Sequence, residues 1–280
     1  MRFSRLISVL GTLYLASGGS ANAFTLNGSS ALQGWSNSEI TFNINYSGCT
    51  NFQSELNAQI DVAIALWNSV PNSGLKLVRG TSSTTTPAAA AASTASSTVT
   101  DGPLLLCTSN MSAIIDTLAG STGNDSANIP GITKIDADGQ LHVNYGAVFL
   151  NFESGKAANL QTLYASNPAI VAVVIAHEIG HALGFGHSAE EKALMYFSAS
   201  QKNQLALAQD DIDAVAYLYP RSEFGSGFMG CGSLAVTEAM TGDDRGGGPP
   251  SAGAAAVAVQ IALFFVFCLY VRRRAIAGAA

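Results

Sequence analysis

Charged side chains are scarce in this chain of 280 residues, and basic ones are the scarcer kind. Only 11% of the residues are charged, with 13 basic against 19 acidic. Five of those 13 lie at the two ends, as Arg2, Arg5 and the run Arg272, Arg273 and Arg274, which leaves 8 against 19 in between. Such an acidic surface repels phosphate backbones and anionic lipids. The composition therefore argues against nucleic acid as a partner.

The first segment predicts export. Residues 1–23 join two arginines to an apolar stretch and end in Ala21-Asn22-Ala23, the pattern of a signal peptide cut before Phe24. The sequence thus places the body of the chain outside the cytoplasm.

The last segment predicts a membrane anchor. Residues 252–271 form an uncharged apolar run of 20 residues, long enough for a transmembrane helix. The three arginines behind it predict a cytoplasmic basic tail over 272–280 by the positive-inside rule. A Gly-rich linker over 221–251 would hold the exported domain off the membrane.

Cysteine is also rare, with four in the chain. Cys49 and Cys107 both lie in the exported body, and a disulfide between them would close a loop of about 58 residues and contribute roughly 4 kcal/mol in the chain-entropy model. Cys268 lies inside the apolar run. Cys231 lies in the linker, where two interpretations stay open: an odd thiol in a flexible segment, or a sorting motif of the kind found in the tripartite C-terminal tails of bacterial surface proteins, processed by a membrane protease.

Histidine occurs only four times, yet three of the four fall within HEIGHALGFGHS, residues 177–188. Residues four apart share one face of a helix, so His177 and His181 can bind one ion. Gly184 permits the positive φ that ends a helix and lets His187 approach from another side. Three imidazoles with one open position are typical of catalytic zinc, and a structural zinc site is disfavoured because no cysteine lies nearby.

Glu178 follows the first of these histidines, about 100° further round the helix. A carboxylate there can reach a water bound to the ion and accept its proton, so the spacing predicts a general base. Asn167 and Pro168 are typical N-cap and N1 residues and predict a helix from Ala169 to Leu183, whose apolar residues on all sides indicate a buried helix.

HEIGHALGFGHS resembles the extended zinc signature of the metzincin metallopeptidases, in particular of the matrixins, the matrix-metalloproteinase type. ALMY at 193–196 resembles their Met-turn, which implies that Met195 lies under the zinc site. LAQDDIDAVAYLYP at 207–220 resembles their closing helix. The resemblance implies an α+β domain over 24–220, with a mostly parallel, twisted sheet, one catalytic zinc and the hydrolysis of internal peptide bonds in proteins or peptides.

The rest of the domain resembles the family more loosely. Alternating or apolar runs predict strands at 40–48 and 75–80, and a helical stripe predicts a helix at 54–70. Two more strands are predicted within 132–152, of which GAVFLNF at 146–152 is the expected edge strand that would pair with substrate. The Ser/Thr/Ala-rich stretch 81–99 is predicted to be a mobile loop.

Three further interpretations stay open. Asp136 and Asp138 flank a tight turn and make calcium conceivable, although two carboxylates are few for this ion and a plain turn is favoured. The chain could instead be a zinc exopeptidase. It could also be a surface-anchored binding or structural protein with a vestigial zinc site, although the intact Glu178 argues against that.

Overall fold

The computed structural model describes residues 24–27, 33–93, 102–198, 202 and 204–221. Five strands form one sheet: β1 Glu39–Asn45, β2 Lys76–Ser82, β3 Leu104–Thr108, β4 Gly131–Ala137 and β5 Val143–Asn151. The strand order is β2-β1-β3-β5-β4, and every neighbouring pair is parallel except β5 with β4. The mixed, mostly parallel sheet and the helices around it confirm the predicted α+β class.

Within the part of the chain that the structure describes, six α-helices accompany the sheet: α1 Gln53–Asn68, α2 Pro87–Ala92, α3 Met111–Ala119, α4 Leu160–Ser166, α5 Pro168–Ala182 and α6 Gln209–Leu218. The larger core lies between one sheet face and helices α1 and α5, where the predicted stripe of α1 is buried. A smaller core on the other face packs α2 and α3 against alternate residues of β3 and β5. Both faces of the inner strands are therefore covered, which explains their continuous apolar runs.

The predicted position of the edge strand was wrong. GAVFLNF belongs to β5, which pairs with β3 on one side and β4 on the other. Its side chains are buried because Val148 and Leu150 face the larger core while Ala147 and Phe149 face the smaller one. The two edge strands of the sheet are β2 and β4, and β4 runs antiparallel to β5 and lies against helix α5.

Residues 81–93, the described part of the predicted loop 81–99, are more ordered than the sequence predicted. The first two residues extend β2, and 87–92 form helix α2, which Thr86 caps by accepting a hydrogen bond from Ala89 N. Ala90 and Ala91 are buried in the smaller core. The Ser/Thr/Ala-rich composition predicted a loop, but the stretch also contains a helix signal that composition does not capture. Thr86 and Pro87 are typical N-cap and N1 residues, and the alanine run that follows favours a helix.

Cys49 and Cys107, the two cysteines expected to pair, form a disulfide. Cys49 precedes a 3₁₀ turn before α1, Cys107 lies in β3, and their Cα atoms are 5.7 Å apart. The predicted signal peptide, apolar span, basic tail and Cys231 lie outside the described residues. Within the described residues, no helix has the length and apolar character needed to cross a membrane.

Candidate metal centre

Helix α5 is fixed in the core before it reaches the histidines. Asn167 caps it by accepting a hydrogen bond from Ala169 N, as the sequence predicted. Trp67 Nε1 donates to Ala176 O at 2.9 Å, and Trp35 Nε1 donates to Ala182 O at 2.8 Å. These bonds hold the helix on two sides, so its polar face has a defined position relative to the sheet.

The structure brings the three motif histidines together. One ring nitrogen from each of His177, His181 and His187 lies within 4.8 Å of the other two. His177 Nδ1 donates to Leu194 O and His181 Nδ1 to Phe185 O, both at 2.8 Å. Because each Nδ1 carries the proton, the Nε2 lone pair of both rings is free to bind a cation.

The spacing of these nitrogens fits zinc. His181 Nε2 and His187 Nε2 are 3.2 Å apart. Two nitrogens bound to one zinc at 2.0–2.1 Å with tetrahedral angles are about 3.3 Å apart. Two lone pairs at such a distance repel each other unless a proton or a cation lies between them, so the donor set suits a metal ion.

Burial keeps the two helical histidines neutral. It lowers the pKa of His177 to about 4 and that of His181 to about 3, with a smaller contribution from the neighbouring imidazoles. Neutral imidazole is the form that binds metal, so these ligands need not lose a proton near neutral pH.

The third histidine is held by the first described segment. Gly184 adopts φ +107° and turns the chain after α5, as the sequence predicted. Residues 24–27 then run antiparallel to 184–187, where Gly186 N donates to Thr25 O and Thr25 Oγ1 donates to His187 O. The position of His187 therefore depends on contacts with residues about 160 positions away in the sequence.

We expect Gly186→Ala to weaken metal binding about tenfold, by analogy with the loss of groups that orient metal ligands. A Cβ at Gly186 would lie 2.5 Å from Thr25 Oγ1 and 2.8 Å from Leu26 O, so the segment that holds His187 must shift. Competition with a chromogenic zinc chelator measures the affinity. Gly139→Ala is the matched control, because no atom lies within 4 Å of a Cβ there; equal affinities of the two variants would contradict the expectation.

The side chain of Glu178 lies beside the histidines. It is buried, and burial raises the pKa of its carboxyl group to about 7, while a hydrogen bond from Thr133 opposes the shift. Thr133 Oγ1 donates to Glu178 Oε2 at 2.6 Å. A buried carboxyl group with its pKa near neutrality can both accept and release a proton, as a general base requires.

Met195, the predicted Met-turn residue, packs against helix α5, and its role in a Met-turn stays a prediction. It is 2% exposed and its Sδ packs against Gly180 of α5, where any Cβ would overlap it. Sequence reasoning missed the residue that fixes this turn: Asp211 of α6 accepts hydrogen bonds from Leu194 N, Met195 N and Ala208 N. The one signal in the sequence is the acidic pair Asp210 and Asp211 at the start of α6, which a favourable charge at a helix N-terminus explains equally well.

A cavity of about 750 Å³ opens beside the histidines. Edge strand β4 forms one wall through Gly131, Ile132 and Thr133. Aliphatic side chains of α4, α5 and the preceding loop form the far side, which is mainly apolar: Ala157, Ala158, Leu163, Ile170 and Val174. The cavity can therefore hold an extended segment against β4 and an apolar side chain next to the histidines.

The two aspartates considered for calcium lie around the turn between β4 and β5. Asp138 Oδ1 accepts hydrogen bonds from Gln140 N and His142 N, which is the arrangement of an ordinary Asx turn. Among the residues that the structure describes, the histidine triad is the one cluster of three or more His, Cys, Asp or Glu side chains close enough to share an ion. Calcium binding stays a prediction.

Comparison with known proteins places this arrangement in a family. The sequence pattern of the matrixin family matches residues 34–220. The chain is 48% identical over 52 residues to matrix metalloproteinase-18 of Xenopus laevis, which covers 18% of this chain and 11% of that protein. It is 51% identical over 47 residues to metalloendoproteinase 1 of Glycine max, covering 16% and 15%.

A third relative is the interstitial collagenase of Oryctolagus cuniculus, 39% identical over 74 residues, which covers 24% of this chain and 16% of that protein. These matches span only 11% to 16% of the length of the three relatives. The family pattern, in contrast, covers well over half of this chain and includes the sheet, helix α5 and the three histidines. Matrixins use a catalytic zinc, which the histidine triad is placed to bind. The chain belongs to the matrixin family.

Proposed function

We propose that the protein is a zinc-dependent endopeptidase that hydrolyses internal peptide bonds of extracytoplasmic proteins. The main support for this proposal is the arrangement of the site. The imidazoles of His177, His181 and His187 and the buried carboxyl group of Glu178 line one cavity, which is bordered by edge strand β4. A purely structural zinc site would not need a proton acceptor, nor an open cavity beside the ligands.

The roles of the residues follow from their positions. His177, His181 and His187 would hold the ion through Nε2. When bound, zinc supplies a Lewis acid that polarises the scissile carbonyl and lowers the pKa of water at the site. Glu178 takes the proton of the attacking water and later gives it to the leaving amine.

Strand β4 is the part of the sheet suited to substrate binding. Like β2, it has a described partner strand on one side only, and its first three residues line the cavity. The outer backbone groups of an edge strand are open to pairing with an extended peptide. A substrate bound in this way passes the histidines with its backbone extended, so a bond in its interior can reach the site.

The cellular location and membrane attachment of the enzyme are proposed from the sequence. The segment 1–23 would direct export and the run 252–271 would anchor the domain, with release or surface sorting as the outcome of tail processing near Cys231. Two of the relatives are named as a matrix metalloproteinase and an interstitial collagenase, and for this chain an extracytoplasmic protein substrate is proposed from those names together with the predicted export segment.

We expect the purified full chain in detergent to bind about one zinc per chain and to cleave casein, with a chelator stopping the cleavage and added zinc restoring it. Zinc is measured by atomic emission and cleavage by the release of internal fragments in mass spectrometry. Fragments cut only from the ends would indicate an exopeptidase. Zinc binding with no cleavage of casein or of unfolded proteins would support the alternative of a binding protein with a vestigial site.

A further inference from the structure

We propose that Thr133 of the edge strand is a positioning residue for the general base, with Gly131 providing the space in which the carboxyl group of Glu178 lies. This inference rests on the proposed peptidase function and adds a residue that the zinc signature does not contain. It concerns the orientation of the Glu178 side chain rather than its chemistry.

The contacts between the strand and the carboxyl group are specific. Thr133 Oγ1 lies 2.6 Å from Glu178 Oε2 and 3.0 Å from the backbone oxygen of the same residue. A hydroxyl has one proton to donate. The carboxylate oxygen is closer and is the stronger acceptor, so it receives this proton. Glu178 Oε1 accepts no hydrogen bond from the described residues, so one oxygen is held and the other is free for water.

Gly131 completes this arrangement two residues earlier on the same face of β4. A Cβ at Gly131 would lie 2.7 Å from Glu178 Cγ and 3.1 Å from both Cδ and Oε1. Any larger residue would therefore push the glutamate side chain away from the strand. The absence of a side chain at 131 and the hydroxyl at 133 act together to define one orientation.

Orientation matters because a general base works only within hydrogen-bond reach of the water proton, about 2.6 to 3.2 Å. A glutamate has three rotatable side-chain bonds, and a displacement of about 1 Å can slow a reaction a hundredfold. Strand β4 would then position both the substrate peptide that pairs with it and the carboxyl group of Glu178 that acts as the general base. Thr133 thus links substrate position to the position of the base.

The test compares Thr133→Val, which keeps the shape and removes the hydroxyl, with Thr133→Ser, which keeps the hydroxyl. In the full chain, kcat and KM are measured on a quenched fluorescent peptide derived from a casein cleavage site, together with zinc content and unfolding temperature. We expect Thr133→Val to lower kcat about tenfold or more at unchanged KM and zinc content. Thr133→Ser should restore kcat to within about threefold of the wild type.

Two results would overturn the inference. One is a Thr133→Val chain with wild-type kcat; the other is a Thr133→Ser chain as slow as Thr133→Val, which would indicate a packing role. If the valine variant does not fold, Thr133→Ala takes its place against Thr133→Ser, since these two differ by one oxygen atom. An inactive wild-type chain would refute the proposed function and this inference with it, whereas an active wild type beside an equally active valine variant refutes this inference alone.

Discussion

Glu178→Ala is expected to leave about one zinc per chain and to abolish measurable hydrolysis. Glu178 lies next to His177 in the sequence but is turned about 100° away from the ligand face of α5, so it is not needed to hold the ion. Loss of a positioned general base typically slows a reaction by about 10²- to 10⁴-fold. The measurements are zinc content by atomic emission and kcat on the casein-derived peptide.

Two further variants separate the base from its surroundings. Glu178→Gln keeps the shape and can still accept the Thr133 hydrogen bond, yet it cannot take up a proton, so its kcat should fall as far as that of the alanine variant. Glu191→Gln changes an exposed carboxylate near the third histidine and should leave kcat and zinc content unchanged. Hydrolysis by Glu178→Gln at the wild-type rate would refute the proposed role of this carboxyl group.

The parts of the site that the sequence predicted are those encoded locally. The N-cap Asn167, the four-residue spacing of His177 and His181, and the turn at Gly184 are all set by residues within one helix and its end. Helical geometry alone then places two ligands on one face. The stripe of α1 was predictable for the same reason, because its periodicity requires no knowledge of its partners.

The parts that the sequence did not predict depend on pairing between distant segments. The position of GAVFLNF just before helix α5 favoured an edge strand by resemblance to the family, whereas the burial of both faces of β5 follows from its place between β3 and β4. Thr133 has no signal in the sequence, because its partner lies 45 residues away. Residues 24–27 likewise acquire a role only through contact with the loop of His187.

Asp211 shows how such a distant contact reaches the metal site. Its carboxylate accepts hydrogen bonds from Leu194 N at 2.7 Å and Met195 N at 3.0 Å. The carbonyl oxygen of Leu194 in turn accepts the Nδ1 proton of His177. Burial raises the pKa of Asp211 while these backbone N–H groups lower it. One buried carboxylate thus fixes the Met195 turn, the start of α6 and the orientation of a zinc ligand.

Asp211→Ala is therefore expected to lower the free energy of unfolding by about 3 to 5 kcal/mol, because three backbone N–H groups lose a charged acceptor in a buried place. Zinc affinity should fall about 10- to 100-fold, since the group that orients His177 becomes mobile. Urea unfolding of the metal-free chain gives the first quantity and chelator competition gives the second.

The matched control is Asp213→Ala, which removes an exposed carboxylate whose one hydrogen bond among the described residues comes from Gln209 in the same helix, and it should change neither quantity measurably. Asp211→Asn tests whether the negative charge itself is required, because it keeps the size of the side chain. Its amide can accept through one oxygen but presents an N–H₂ group to the backbone donors, so it should be destabilised nearly as much as Asp211→Ala. If Asp211→Asn kept wild-type stability and zinc affinity, the negative charge would be dispensable, and the coupling between α6 and His177 would have to run through packing of the Met195 turn instead.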